Sequence, residues 1–234
     1  MRASEDWIES AEARAKELET HGVYWRHDGN PKRPYVRLRS GLLSNGYFNG
    51  GIICEWPDLL DWLVDELVEE YAARYKQSGE DYFIDRVVGP AMGAITLAHS
   101  TARSLSLEFD ESGVFMSFAE KDKNGGFGFN RNPPKPGETI LFVEDTVTTF
   151  ETVLKVRDAV LRIIPDAVFS PFVIVLCNRT GLESIEGFEI ISLVAADFTT
   201  WKEGENPFTP DGKELVPPVE NAKENWDELT REYV

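Results

Sequence analysis

Two adjacent carboxylates, Glu144 and Asp145, directly follow an apolar run, Ile140-Leu141-Phe142-Val143, and three threonines, Thr146, Thr148 and Thr149, come next. The apolar run reads as a buried strand that ends at the carboxylates, and Glu151 to Ile164 reads as a helix. A strand, a tight polar turn and a helix point backbone N–H groups and the positive end of the helix dipole at one place. Threonine hydroxyls add donors that suit phosphate. An acidic pair suits sugar hydroxyls or a metal ion, and at a buried strand end it is costly without a partner. Phosphate, sugar hydroxyls and Mg2+ within a few ångströms amount to a site for a sugar phosphate. Thr and Asp are also ordinary turn and N-cap residues, so a plain strand-to-helix junction stays open on the local pattern alone.

Three further groups could take part. Gly89-Pro90-Ala91-Met92-Gly93 follows a strand-like run, and glycines at both ends allow close backbone approach to a ligand or simply a tight turn. Arg39-Ser40-Gly41, followed by Ser44-Asn45-Gly46-Tyr47-Phe48-Asn49, reads as a glycine-rich hairpin or a ligand segment. Lys121 and Lys123 fall in Glu120 to Glu138, a stretch so rich in Gly and Pro that it reads as one long loop, functional or mobile. Arg179 closes the strand-like run Phe172 to Cys177, while His21, His27 and His99 show no metal-ligand spacing.

The elements that must position these groups alternate. Pro57 opens a long helix that Gly79 ends, Phe83 to Val88 is a strand, Ala94 to Leu105 a helix, and Leu107-Glu108-Phe109 and Val114 to Phe118 are strands. Glu189 to Val194 is the last buried strand. This order predicts βαβ units around a mainly parallel sheet flanked by helices, with ligands outside the carboxyl ends of the strands. Before Glu55 the pattern differs: a helix from Ser4 to Glu19 with Gly22 behind it, short strands at Val23-Tyr24-Trp25 and Tyr35 to Leu38, and strand-like Tyr47-Phe48 and Ile52-Ile53-Cys54. Trp201 to Val219 reads as loop and Asn221 to Tyr233 as a weak helix. The expected division is residues 1–55 for an N-terminal helix and hood, 56–200 for the core, and 201–234 for a C-terminal tail open to a share in the hood.

The chain has 234 residues and a formal net charge of −17. So acidic a surface argues against nucleic-acid and anionic-membrane partners. The two cysteines, Cys54 and Cys177, form no framework, which fits a reducing compartment. Met1 to Thr20 is polar and charged, unlike a signal peptide, and the expected location is the cytoplasm.

VEDTVTT resembles the phosphoribosyl pyrophosphate signature of the type I phosphoribosyltransferases: an apolar strand, two acids, two further residues, then hydroxyl and small residues. The Gly89–Gly93 turn resembles the pyrophosphate turn of the same family. Arg39-Ser40-Gly41 with Tyr47-Phe48-Asn49 resembles the hood segment of orotate phosphoribosyltransferases, with Arg39 in the place of the usual lysine, a change that offers a planar fork. Asn178-Arg179 stands where those enzymes have Asp-Arg. The resemblance covers roughly Tyr35 to Val194. It implies an α/β fold with a small hood, and transfer of the phosphoribosyl group of 5-phosphoribosyl 1-pyrophosphate to orotate. Catalytic roles fall to Asp145, Lys121 and Lys123. Donor binding falls to Glu144, Asp145, Thr146, Thr148, Thr149, Thr152, Ala91, Met92 and Gly93. The base falls to Arg39, Ser40, Gly41, Phe48 and Arg179. Mg2+, bound mainly through the donor pyrophosphate, and a homodimer are also implied. In the family, a flexible loop carries Lys and His and often reaches the partner's site; here Lys123 stands for the His, and Ser117-Phe118 for an Arg-Lys pair. Phe150 and Glu151 occupy positions where the family has Gly-Gly or Gly-Thr, and their side chains either turn away from the phosphate cradle or obstruct it. Two alternatives remain: a transferase for another nucleobase, and a non-catalytic binding or regulatory relative.

Overall fold

The computed structural model describes residues 11–79, 83–109, 113–123 and 125–233. In chain order the elements are α1 (Ala11–Thr20), β1 (Tyr24–Arg26), β2 (Val36–Arg37), β3 (Leu43–Ser44), β4 (Gly46–Phe48), α2 (Gly50–Glu55), α3 (Pro57–Ser78), β5 (Arg86–Pro90), α4 (Ile95–Glu108), β6 (Phe115–Lys121), β7 (Phe127–Gly128), β8 (Thr139–Val147), α5 (Glu151–Ile163), β9 (Val168–Asn178), β10 (Ser184–Ile185), β11 (Phe188–Ala195), β12 (Thr200–Trp201) and α6 (Trp226–Thr230). The start of the expected first helix, with Ser4 and Ile8, lies outside the described residues.

The chain forms two compact units, one spanning Ile53–Ala195 and the other joining Glu12–Ile52 to the segment from Ala196 onward. The first unit holds a seven-stranded sheet in the order β10-β11-β9-β8-β5-β6-β7. The five strands β11, β9, β8, β5 and β6 run parallel, and β10 and β7 pair antiparallel at the edges. Central strands buried on both faces explain the unbroken apolar runs Ile140–Val143 and Phe172–Cys177. Helix α5 buries Val153, Val156, Ala159 and Val160 on one stripe, the 3.6-residue period that marked it in the sequence. Helix α3 closes on Gly79, whose φ of 69° is the left-handed C-cap conformation.

Three expectations need correction. Ile52, Ile53 and Cys54 are helical, in α2, because a short buried apolar run has no period long enough to tell strand from helix. Leu107 and Glu108 continue α4; Leu107 is exposed and pairs with no strand. The stretch from Glu120 is partly regular: Lys121 pairs with Phe127 across a β6–β7 hairpin, because Phe127 is buried in the core.

The second unit has two small sheets, β1-β4 and β12-β3-β2. Its core is Trp25, Val36, Val219, Ala222 and Leu229. The Arg37 N–H of β2 donates to the Val219 carbonyl at 2.9 Å, the Val219 N–H donates to the Tyr35 carbonyl at 2.8 Å, and Arg37 holds Glu220 at 2.6 Å and Glu203 at 2.8 Å, so the C-terminal segment is stitched to the β2–β3 hairpin. A cavity of about 320 Å³ in this unit is lined by His27, Arg33, Tyr35, Asn45 and Phe208 among others. Among the described residues no helix is long and apolar enough to cross a membrane.

Candidate active site

The chain leaves β5 toward β6 on one side and returns to β8 on the other, so the sheet order reverses between β5 and β8. Crevices at such reversals receive ligands in open α/β sheets. Both candidate turns lie at this reversal. Their proximity is shown by Gly93, where a Cβ would stand 2.7 Å from Asp145 Oδ2. The peptide between Ala91 and Met92 is cis, Met92 is exposed, and the Ala91 N–H donates to the Ala119 carbonyl at 2.7 Å.

The acidic pair lies within β8. The strand runs on to Val147 because β9 keeps pairing with it, Thr146 opposite Cys177 and Val147 opposite Asn178, and the Arg179 N–H then donates to the Val147 carbonyl. This corrects the expected end at Val143 and leaves a shorter turn, Thr148 to Phe150. Successive residues on a strand face opposite sides, and the two carboxylates differ accordingly. Glu144 is buried, and its Oε2 has no hydrogen-bond partner. Burial pushes its carboxyl up to about 9, the Asp145 charge adds to the rise, and the Lys121 ammonium opposes it. Asp145 is half-buried, and its Oδ1 accepts the Thr146 N–H at 2.6 Å. Thr148 and Thr149 are exposed and Thr152 is half-buried.

Phe150 and Glu151 turn away from this cradle. Phe150 sits at the N-cap of α5 with φ of 64°, the left-handed region. Phe150 is 1% exposed, its ring meets that of Phe188, and it shares one apolar cluster with Val147, Phe142 and Val153. The backbone conformation that glycine adopts freely is therefore kept here by a buried ring. The Glu151 carboxylate is exposed and meets Lys155 Nζ at 3.4 Å. No side chain caps α5, so its first N–H groups, which have no intrahelical partners, face the turn.

Lys121 ends β6, exposed, and Lys123 lies exposed in the hairpin turn. Arg179 stands half-buried just past β9. The structure therefore gathers Glu144, Asp145, Thr146 and Gly93 around the reversal. Arg39, Ser40 and Gly41 belong to the second unit, where they form the exposed tip between β2 and β3; the Gly41 N–H donates to the Leu38 carbonyl at 2.8 Å. Phe48 lies half-buried on β4 opposite Tyr24. Sequence reasoning missed Cys54, whose thiol reaches the Gly93 carbonyl at 3.9 Å. It also missed the burial of Phe127, which with Phe129 is one of two aromatic residues set among glycines.

No family model matches the chain. Among curated proteins, the orotate phosphoribosyltransferase of Pelotomaculum thermopropionicum is 34% identical over 185 residues, 79% of this chain and 87% of that protein. That of Desulforamulus reducens is 30% identical over the same share of each. Among solved structures, the Aeropyrum pernix orotate phosphoribosyltransferase superposes with a TM-score of 0.52 at 20% identity, covering 77% of this chain and 92% of that one, which supports the fold. The acidic pair beside a capless helix, at the reversal of a parallel sheet, thus stands in a chain that aligns with these enzymes over about four fifths of its length. The chain belongs to the orotate phosphoribosyltransferase family.

Proposed function

We propose that the protein transfers the 5-phosphoribosyl group of 5-phosphoribosyl 1-pyrophosphate to a ring nitrogen of orotate and releases pyrophosphate. The observation that carries this is the orientation of Phe150 and Glu151: one ring in the core and one carboxylate in solvent, with Thr148 and Thr149 exposed beside them. Amides of that turn with the Thr148 and Thr149 hydroxyls bind the 5′-phosphate. Thr146 and Thr152 flank them. Glu144 and Asp145 hold the ribose hydroxyls, and the Asp145 charge favours positive charge building on the ribosyl carbon as the bond to pyrophosphate breaks. Ala91, Met92 and Gly93 bind pyrophosphate through the backbone, and Lys121 and Lys123 oppose its growing charge. Arg39, Ser40, Gly41, Phe48 and Arg179 receive the orotate ring and carboxylate.

Asp145 is a hard oxygen donor at the edge of the site and suits Mg2+ held mainly by pyrophosphate oxygens. Bound there, the ion would neutralise leaving-group charge. We take the working form to be a cytoplasmic homodimer, the pairing from the family and the compartment from the two free cysteines. Orotidine 5′-phosphate formation from orotate, donor and Mg2+ tests the proposal; no product with orotate, alongside product with a purine base, would replace it. Ser117 and Phe118, where the family has Arg-Lys, favour a second reading as a donor-binding protein without turnover. Calorimetric donor binding with no product would select that one.

A further inference from the structure

The cavity of about 320 Å³ lies wholly within the second unit, between the stretch from His27 to Asn45 and the returning segment from Phe208 to Val216. Small-molecule sites occupy roughly 300–1,000 Å³, so it has room for a compact ligand. Three of its lining rings are nearly parallel: His27 lies 4.2 Å from Tyr35 at 21°, and Tyr35 lies 6.0 Å from Phe208 at 22°. Phe208 and Leu215 are 52% and 64% exposed, so the cavity presents apolar surface that no described part of the chain covers. A flat aromatic ligand extends such a series in offset or edge geometry. The polar groups of the wall select by charge. His27 is neutral: its Nδ1 accepts the Gly29 N–H at 2.9 Å, its Nε2–H donates to the Arg33 carbonyl at 3.1 Å, and burial lowers its pKa. The Arg33 guanidinium is already engaged, by the Leu229 and Arg231 carbonyls at 3.2 Å and 3.3 Å and by Asp28 at 3.4 Å. Glu214, which accepts the Trp201 indole N–H at 3.0 Å, adds negative charge near Tyr35. An anion would meet two acids and an occupied cation there. Asn45 supplies a donor instead. The Thr199 N–H donates to Asn45 Oδ1 at 2.9 Å, which fixes the amide, and Asn45 Nδ2 meets no acceptor among the described residues.

We propose that this cavity is a second ligand site, for an uncharged planar ring compound whose carbonyl accepts from Asn45 Nδ2 while its face joins the rings of Tyr35 and Phe208. The site does not depend on the proposed transfer reaction. Saturation-transfer NMR titrations on the full chain test it with benzamide, with its anionic counterpart benzoate, and with hypoxanthine. Benzamide and hypoxanthine should bind with a Kd of about 1 mM or tighter, and benzoate at least ten-fold more weakly. Asn45→Asp keeps the acceptor for Thr199 and removes the donor, and should weaken benzamide at least five-fold. Phe208→Ala should do the same by removing a ring. Leu215→Glu changes an exposed position, so the protein should stay folded, and it should also weaken benzamide at least five-fold. Unchanged binding in folded Phe208→Ala and Leu215→Glu proteins overturns the proposal. So does the absence of binding by both uncharged probes, or benzoate binding as tightly as benzamide. Saturating orotidine 5′-phosphate should leave benzamide bound; its displacement would put the probe in the transfer site and overturn the proposal as well. If the unaltered protein fails to convert orotate, the proposed function falls, and the binding of the probes to the cavity variants still decides this site.

Discussion

The Phe150 ring stands 5.9 Å from the Phe188 ring, centroid to centroid and tilted by 44°, while its own backbone occupies the left-handed region in the turn that leads into α5. Core and cradle therefore meet in one residue. Replacing it by glycine relieves a backbone penalty of about 1–2 kcal/mol but forfeits most of the ~3–5 kcal/mol lost on deleting a buried Phe. Phe150→Gly should be less stable by about 2–3 kcal/mol, read as a fall in Tm of roughly 5–10 °C. The donor KM of the folded variant should stay within three-fold. A markedly tighter donor KM would mean that the ring had been obstructing the cradle.

Gly93 offers a test of the acidic pair without touching it. A methyl group there would lie 2.7 Å from Asp145 Oδ2, and a carboxylate can swing aside at little cost. Gly93→Ala should thus change Tm by less than about 2 °C and raise the donor KM at least ten-fold. Asp145→Asn removes the charge itself and should lower turnover by about 10²-fold. Steady-state kinetics on both variants check this, and wild-type behaviour of Asp145→Asn would remove the role given to the pair.

Glu144 predicts a pH effect on stability. The unfolded chain releases this proton near pH 4.3, whereas the buried carboxyl, beside Asp145, holds it up to about 9. Between those values the folded state binds more protons, so stability falls as pH rises. Glu144→Gln lacks this loss. Its Tm should exceed that of the unaltered protein at pH 8, and the difference should shrink toward pH 4. Parallel Tm curves across that range would contradict the burial of a protonated acid.

Arg86 and Glu138 should show the opposite sign. Their ion pair is bidentate at 2.7 Å, with both side chains largely buried, and Arg86 also donates to Ser117 Oγ at 2.9 Å. Burial alone would raise the Glu138 carboxyl, but the Arg86 guanidinium and the Lys135 N–H outweigh it and hold it below its usual value. The stability it contributes is present above the ordinary carboxylate range and is lost as pH falls through the lowered value. Glu138→Gln leaves the guanidinium buried without its partner and should cost about 3–5 kcal/mol, measured by urea denaturation at pH 7.

The acidic pair, the threonines and the glycine turn could be read from the chain because local chemistry marks them: charges after an apolar strand, hydroxyls before a helical period, glycines where backbone must approach. The alternation of strand and helix from Pro57 likewise carried the sheet class, since burial on both faces leaves unbroken apolar runs. Phe150 is the counter-example. Sequence shows a bulky residue where small ones are expected, and only the long-range contact with Phe188 decides which way it points. Phe127 is similar: a stretch of glycines and prolines reads as loop until its one buried ring, with Arg162 on its carbonyl, makes it a hairpin. Local types and spacings determined what chemistry this chain can perform. The packing of distant residues decided where the Phe150 ring points and that Phe127 closes a hairpin, because side-chain direction is settled by contacts that no window of sequence contains.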